Sequence, residues 1–125
     1  MTSPTAPPTL DTRTAVREAV AAVVDTKGED VRVRHLAPVA DFADWFVIAS
    51  GYSARQVQAI AERVEERLRA QGVRPLHVEG HAPAQWILLD YGDFLVHVFL
   101  DDRRRYYGLE RLWSDAPDAT DEFLS

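Results

Sequence analysis

The residues best suited to chemistry lie in two short segments of the chain. The first, SGYSAR at residues 50–55, follows an apolar run and opens a helical pattern. Its backbone amides would stand at a helix N-terminus, where they can hold a phosphate, and Arg55 adds a cation. The second, HVEGH at residues 77–81, carries two histidines and a glutamate at alternate positions, which share a face in an ideal strand. Phosphate binding and metal binding are therefore the two chemistries to weigh.

The SGYSAR segment resembles the Gly-Ser turn of nucleotidyltransferases, enzymes that hold magnesium between two carboxylates close together. The acidic pairs available are Asp90 with Asp93, across a turn, and the adjacent aspartates 101–102. Neither pair has the alternate spacing on a strand that points both carboxylates the same way. Ser53 followed by Gln56 matches a capping box. A capped helix is the simpler interpretation, and a small nucleotide-using transferase remains an alternative.

The other candidates also favour structural roles. Two histidines and one glutamate without a fourth ligand are a weak metal signal, and Gly80 interrupts the strand. We therefore expect a polar loop there and no metal site. His97 lies in an apolar run, where a lone histidine is usually a hydrogen-bonded core or rim residue, and no motif places a nucleophile beside it. The basic cluster 103–105, which follows two aspartates, is typical of a solvated helix face.

Composition narrows the class of protein. The chain has 125 residues, of which 46% are hydrophobic, as suits a single packed domain without cysteine. Four of its negative charges lie in the last twelve residues, which leaves −2 of the total −6 on residues 11–113. A slightly acidic body disfavours direct nucleic-acid binding and is compatible with a basic protein partner. With no secretory signal and no apolar stretch long enough for a membrane, we expect a cytoplasmic protein.

The hydrophobic pattern predicts the order α-β-β-α-β-β-β, followed by a short helix before Trp113. The predicted helices cover about 11–28 and 54–71, and the predicted strands cover 31–36, 45–50, 74–78, 85–90 and 94–99. This order favours an α/β fold: a single domain with one mixed five-stranded sheet and flanking helices. We divide the chain into a flexible leader at 1–10, a domain at 11–113 and an acidic flexible tail at 114–125.

The segment WILLDYGDFLVHVF, residues 86–99, is the most informative part of the chain. Two apolar runs flank a short turn that contains glycine, which predicts an antiparallel hairpin. Trp86, Leu88 and Asp90 fall on one face of its first strand. Two substantial helices are few for covering both faces of a sheet. An uncovered face with Trp86 and Leu88 would be an exposed apolar patch, which usually marks a partner surface.

The border of that patch also has candidates. Tyr91, Tyr107 and Arg104 could lie around it, and tyrosine and arginine are among the residue types that dominate interface energetics. In the alternative interpretation, the terminal helix packs over the same face and buries it as ordinary core.

At these residues the sequence resembles the Iojap, or ribosomal silencing factor (RsfS), family. The matching segments are DWFVIASGYSARQVQAIAERVEE at 44–66, VEG at 78–80, WILLDYGDFLVHVF at 86–99 and YYGLERLW at 106–113. Together they span nearly all of residues 11–113. The resemblance implies a nucleotidyltransferase-like core that lacks the catalytic acids, which agrees with the missing carboxylate pair.

The resemblance further implies a factor that is not an enzyme and uses no cofactor. Family members bind ribosomal protein fourteen of the large ribosomal subunit, block joining of the small subunit and repress translation, and they often form homodimers. Organelle relatives are tied to ribosome assembly, so an assembly factor without silencing is an alternative. Because ribosomal protein surfaces are typically basic, acidic side chains near the hairpin would aid orientation. The expected partner-binding residues are Trp86, Leu88, Asp90, Tyr91, Asp93, Arg104, Tyr107 and Glu110.

Overall fold

Five helices and five strands make up residues 10–124, the part of the chain that the computed structural model describes. The helices are α1 (Thr12–Asp25), α2 (Ala54–Ala70), α3 (Asp101–Tyr107), α4 (Leu109–Leu112) and α5 (Thr120–Leu124). The strands are β1 (Glu29–His35), β2 (Trp45–Gly51), β3 (His77–Glu79), β4 (Trp86–Asp90) and β5 (Phe94–Leu100). The predicted α/β class and mixed five-stranded sheet are confirmed.

The strands form one sheet in the order β1-β2-β5-β4-β3. Only β2 and β5 are parallel neighbours, and the other three pairs are antiparallel. The predicted hairpin is β4 and β5, and its turn is closed by Asp90, whose carboxylate accepts a hydrogen bond from the Gly92 N–H at 2.8 Å. Gly92 has a φ of +86°, which glycine adopts without strain. The third strand begins at His77, later than the predicted 74–78.

Helices α1 and α2 cover one face of the sheet. Asp11 caps α1 by accepting from the Thr14 N–H at 2.8 Å, and Ser53 caps α2 by accepting from the Gln56 N–H at 3.1 Å. Each helix buries a stripe of aliphatic side chains at helical spacing. The larger core therefore lies between these helices and the sheet. Its helical residues include Val16, Val20, Val23, Val57, Ile60, Val64 and Leu68.

The other face of the sheet has a smaller core and only partial cover. Phe46, Ile48 and Phe99 are buried there, and the partly buried Leu109 and Trp113 pack against their cluster. The cover comes from α3, α4 and the residues that follow them. The predicted single terminal helix is in fact two short helices, because Gly108 takes the left-handed conformation at φ +65° and turns the chain between them.

The acidic tail is part of the fold, so the prediction of a flexible segment is wrong for residues 114–124. The His35 N–H donates to the Pro117 carbonyl at 2.9 Å, and the Ala119 N–H donates to the Val33 carbonyl at 2.8 Å. These bonds cover the outer edge of β1, which would otherwise offer unpaired backbone groups. Phe123 is 4% exposed. The four acidic residues made this segment look solvated, although Phe123 anchors it in the larger core.

The predicted leader lies outside the described residues, apart from Leu10, which packs against the larger core. None of the helices in residues 10–124 is long and apolar enough to cross a membrane.

Candidate partner-binding face

The face of the sheet opposite α1 and α2 is incompletely covered on the side of β3 and β4. The strand register aligns Glu79, Leu88 and His97 in one row across it, and His77, Asp90 and Leu95 in the next. Trp86 stands beside these rows, opposite Phe99. We call this surface the open face. Its members are Glu79, Trp86, Leu88, Asp90 and Leu95, of which Glu79 is exposed and the others are half-buried.

Trp86 is held on three sides. Its indole N–H donates a hydrogen bond to Nδ1 of His97 at 3.0 Å. Its ring stacks on Phe99 at 5.0 Å between centroids and lies 4.9 Å from the ring of Tyr107. The indole is thus fixed in orientation and still half-buried rather than covered, as is typical of an anchor side chain in a partner surface. Tyr107 borders it, as expected, and is 40% exposed.

His97 lies beneath the open face and is 3% exposed. Burial lowers its pKa to about 3, so the imidazole is neutral at physiological pH. Because Nδ1 accepts from Trp86, the proton of the neutral ring resides on Nε2. That nitrogen is buried and has no hydrogen-bond partner among the described residues. The expectation of a hydrogen-bonded core residue is confirmed for one ring nitrogen.

The open face mixes apolar and acidic groups. Leu88 and Leu95 provide its aliphatic part, and Asp90 and Glu79 carry carboxylates beside them. The ring of His77, on the same row as Asp90, hydrogen-bonds the Glu79 carboxylate. A flat apolar centre with acids along one side suits a partner that presents both apolar and basic groups.

Tyr91 and Asp93, which were expected at this surface, lie elsewhere. The ring of Tyr91 stacks on Phe94 at 4.9 Å and packs against the larger core, on the helical side of the sheet. The carboxylate of Asp93 accepts from the Thr12 hydroxyl at 3.3 Å, which links the hairpin turn to the start of α1. The expectation that Tyr91 borders the Trp86 patch is therefore wrong, because Tyr91 directly follows Asp90 and successive side chains along a strand point to opposite faces.

Arg104 and Glu110 were also expected to face a partner, and they bind each other. The Arg104 guanidinium donates to the two Glu110 carboxylate oxygens at 2.8 and 3.3 Å. It also donates to the Asp30 carbonyl at 2.7 Å and to the Ser50 hydroxyl at 2.9 Å. Arg104 is 8% exposed. The expectation that it borders the patch as an exposed group is wrong, since its donors are directed inward.

Neither phosphate binding at residues 50–55 nor metal binding at residues 77–81 has an assembled site within residues 10–124. Two amides of this segment are already engaged by side chains: the Gln56 N–H donates to the Ser53 hydroxyl at 3.1 Å, and the Tyr52 N–H donates to the Gln56 side chain at 2.7 Å. His81 contacts Glu62 at 2.9 Å, away from the His77 pair. No group of three metal-ligating side chains forms within this range. The open face is the remaining candidate site.

Known proteins resemble this chain in both sequence and fold. A sequence profile described as "Ribosomal silencing factor during starvation" matches residues 9–125. The chain belongs to the RsfS family. The ribosomal silencing factor RsfS of Halalkalibacterium halodurans is 46% identical over 99 residues, which cover 79% of this chain and 85% of the relative. That of Bacillus subtilis is 39% identical over 114 residues, which cover 91% and 97%.

The fold of this RsfS-family chain also has a solved counterpart. A crystal structure of a protein from Chromobacterium violaceum superposes with a TM-score of 0.82 at 31% identity. The alignment covers 93% of this chain and all of the other. Since the family match reaches residue 125, the C-terminal segment belongs to the family region too. The predicted family resemblance is confirmed.

Sequence reasoning missed two members of the open face of this RsfS-family protein. Leu95 was read only as part of an apolar run, and Glu79 only as a weak metal ligand. The strand register shows that both belong to this face, because Glu79 lies opposite Leu88 and Leu95 lies opposite Asp90. Alternation in β5 would have placed Leu95 with His97, on the face of Trp86. No local signal could pair Glu79 with Leu88, since a loop separates their strands.

Proposed function

We propose that this RsfS-family protein represses translation in the cytoplasm by occupying the large ribosomal subunit. In this proposal the open face docks on ribosomal protein fourteen of that subunit, and the body of the domain sterically blocks joining of the small subunit. The observation that carries it is the half-buried, hydrogen-bonded Trp86 on an incompletely covered sheet face, in a chain of the silencing-factor family.

Occlusion requires affinity and bulk but no reaction. A standard protein interface buries roughly 800 Å² on each partner, an area within reach of a domain of this size. The open face supplies a rigid strand surface whose backbone needs no ordering when it binds, which reduces the cost of association. A role that ends with binding also requires no catalytic group, so we propose that the protein is not an enzyme.

The charges favour a basic protein surface as the partner. Asp90 and Glu79 lie on the open face, and the whole chain carries a net charge of −6. Such acids orient a basic partner and raise the association rate, more than they add to final affinity. RNA would be repelled by the same charges, so the contact is proposed to be with ribosomal protein.

Cosedimentation with purified large subunits tests the proposal. The wild-type protein should pellet with large subunits, and adding it first should prevent small subunits from joining them. Leu88→Glu places a charge in the apolar part of the open face and should abolish pelleting while the melting curve stays cooperative. Val24→Glu is the matched control, since it makes the same kind of change at an exposed aliphatic residue on α1, on the other side of the sheet.

Trp86→Ala should weaken binding by about 2 kcal/mol or more, as truncation of an interface anchor does. Because Trp86 also packs on Phe99, this variant will melt earlier, and binding is compared at a temperature where both proteins are folded. A well-folded wild-type protein that ignores large subunits contradicts the proposal. One that pellets with them but leaves subunit joining intact identifies an assembly factor.

The homodimer that the family resemblance implies is a separate part of the proposal. Sedimentation velocity of the free protein and of the Leu88→Glu variant tests it. A dimer that survives this substitution uses a surface other than the open face, whereas a dimer lost with it would compete with the ribosome.

A further inference from the structure

Arg104 connects three parts of the fold that are remote in sequence. It lies in α3, and its guanidinium reaches the Asp30 carbonyl in β1 and the Ser50 hydroxyl in β2. The remaining donors hold the Glu110 carboxylate in α4 through two hydrogen bonds. Two-point contacts of this kind fix orientation as well as distance. Arg104 is therefore a buried connection between the sheet and both short helices.

The helices that Arg104 joins have little stability of their own. Helix α3 has seven residues and α4 has four, and isolated helices of such length do not persist in water. Gly108 separates them in a left-handed conformation at φ +65°. We call residues 101–113 the elbow. Its place on the sheet depends on side-chain contacts, and among those of the described residues the Arg104–Glu110 pair is the charged one that spans both helices.

The elbow carries one wall of the open face. Tyr107, the last residue of α3, lies against Trp86 at 4.9 Å and near Phe99 at 6.0 Å. Trp113 lies against Phe46 at 6.1 Å, farther along the same face. The elbow thus supplies one of the three contacts that hold the Trp86 ring, beside those from His97 and Phe99. Any change in its seating alters the shape that a partner meets.

We propose that Arg104 and Glu110 are positioning residues for partner binding: together they hold the elbow so that Tyr107 supports Trp86 on the open face. This inference rests on the proposed function. The pair contributes no contact to the partner, and it presets the bound shape. Its loss leaves the encounter unchanged and shortens the lifetime of the complex, because an unsupported anchor must be ordered on binding.

The separation of the two cores makes this role testable apart from folding. The larger core lies between α1, α2 and the opposite face of the sheet, and no residue of the elbow belongs to its buried set. A loosened elbow should therefore leave the sheet and the two long helices in place. The carboxylate of Glu110 is partly exposed, so Glu110→Gln changes its charge at nearly constant volume.

The experiment compares Glu110→Gln and Arg104→Lys with Arg105→Gln. Arg105 is exposed on the same helix, and its side chain forms no hydrogen bond or ion pair with residues 10–124. In the free proteins, NMR follows the Trp86 indole N–H, assigned with Trp86→Phe. Binding to immobilised large subunits is followed at two salt concentrations. Each variant is also melted, and Arg104→Lys, which keeps a cation on the buried stem, provides a reading if Glu110→Gln unfolds at the assay temperature.

We expect both pair variants to shift the indole resonance and to speed dissociation about tenfold, with wild-type association rates and salt dependence. Arg105→Gln should change neither the resonance nor dissociation. A slower, less salt-dependent association with an unchanged resonance would make Glu110 a direct contact and overturn the inference. So would a shifted resonance with wild-type affinity. Wild-type protein that fails to bind refutes the proposed function instead.

Discussion

The Trp86 indole N–H and Nδ1 of His97 form a 3.0 Å hydrogen bond between adjacent strands, directly below the open face. Trp86 is thereby oriented from beneath by a residue that solvent does not reach. The bond requires a neutral imidazole, because a protonated ring has no acceptor nitrogen. The buried setting keeps the ring neutral by lowering its pKa to about 3. The anchor of the proposed interface therefore depends on a titratable group that does not titrate in the folded state near neutral pH.

This depression of the His97 pKa predicts an acid-sensitive stability. In the unfolded chain the pKa of the histidine is about 6.5, so below that pH the unfolded state binds a proton that the folded state excludes. His97 is thus expected to destabilise the fold by up to about 1.4 kcal/mol per pH unit as the pH falls from 6.5 towards 3. Urea denaturation at about pH 7.5 and about pH 5 should show a loss of about 2 kcal/mol from this residue.

His97→Gln isolates that contribution, since its amide oxygen can accept from Trp86 and its side chain does not titrate. The variant should be less stable than wild type at neutral pH and should lose less stability on acidification. Equal pH slopes in the two proteins would show that His97 protonates readily in the folded state, contrary to its burial.

Helix caps and the hairpin turn could be predicted from the sequence because each is formed by residues that are close together in the chain. Ser53 caps α2 by accepting from the Gln56 N–H three residues along the chain, as the capping-box spacing predicted. The turn at Gly92 likewise closes the hairpin between two adjacent runs. Such signals are readable because both partners stand in one short window of sequence.

The open face and the elbow depend on contacts between residues that are far apart in the sequence. Arg104 lies 54 residues from Ser50 and 74 from Asp30, so its interior role could not be distinguished from that of an exposed interface arginine. The four acids of residues 114–125 made the tail look solvated, although Thr120 contacts Val33 from 87 residues away. For Trp86 the alternation of side chains along β4 predicted its position on the sheet face that is incompletely covered, because that signal is local and the strand register preserves it.

The docked tail gives a second prediction. The Thr120 hydroxyl accepts a hydrogen bond from the Val33 N–H at 2.9 Å, in a buried setting. Thr120→Val keeps the volume and removes the acceptor, which leaves a buried amide unsatisfied at a cost of about 1–3 kcal/mol. Urea denaturation measures the loss, and hydrogen exchange should show faster exchange at the Val33 amide. Thr120→Ser keeps the hydroxyl and should retain the Val33 protection; loss of protection in both variants would mean that the methyl group, not the acceptor, seats the tail.

The Arg104–Glu110 pair should contribute to stability at neutral pH. The Arg104 guanidinium lowers the pKa of Glu110, so the folded state favours the carboxylate more than the unfolded state does. That contribution is present above the unfolded pKa and is lost as the pH falls through the lower folded value. Glu110→Gln should therefore cost about 2 kcal/mol at neutral pH, less than for a fully buried pair because Glu110 is partly exposed. The difference from wild type should shrink in acid, and a difference that grows there would refute the ion pair.

Tyr91 provides a test of whether residues on the helical side of the sheet take part in partner binding. Its hydroxyl is buried without a hydrogen-bond partner among the described residues, and burial raises its pKa. Tyr91→Phe removes the unsatisfied group, so it should be neutral or stabilising by up to about 1 kcal/mol. It should also reduce the loss of stability that deprotonation of the unfolded chain causes above about pH 10.

Because Tyr91 packs on the helical side of the sheet, Tyr91→Phe should bind large subunits with wild-type strength. Tyr107→Ala, in contrast, should weaken that binding by about 1–2 kcal/mol. Weaker binding by Tyr91→Phe would place the partner at the hairpin turn instead of the open face.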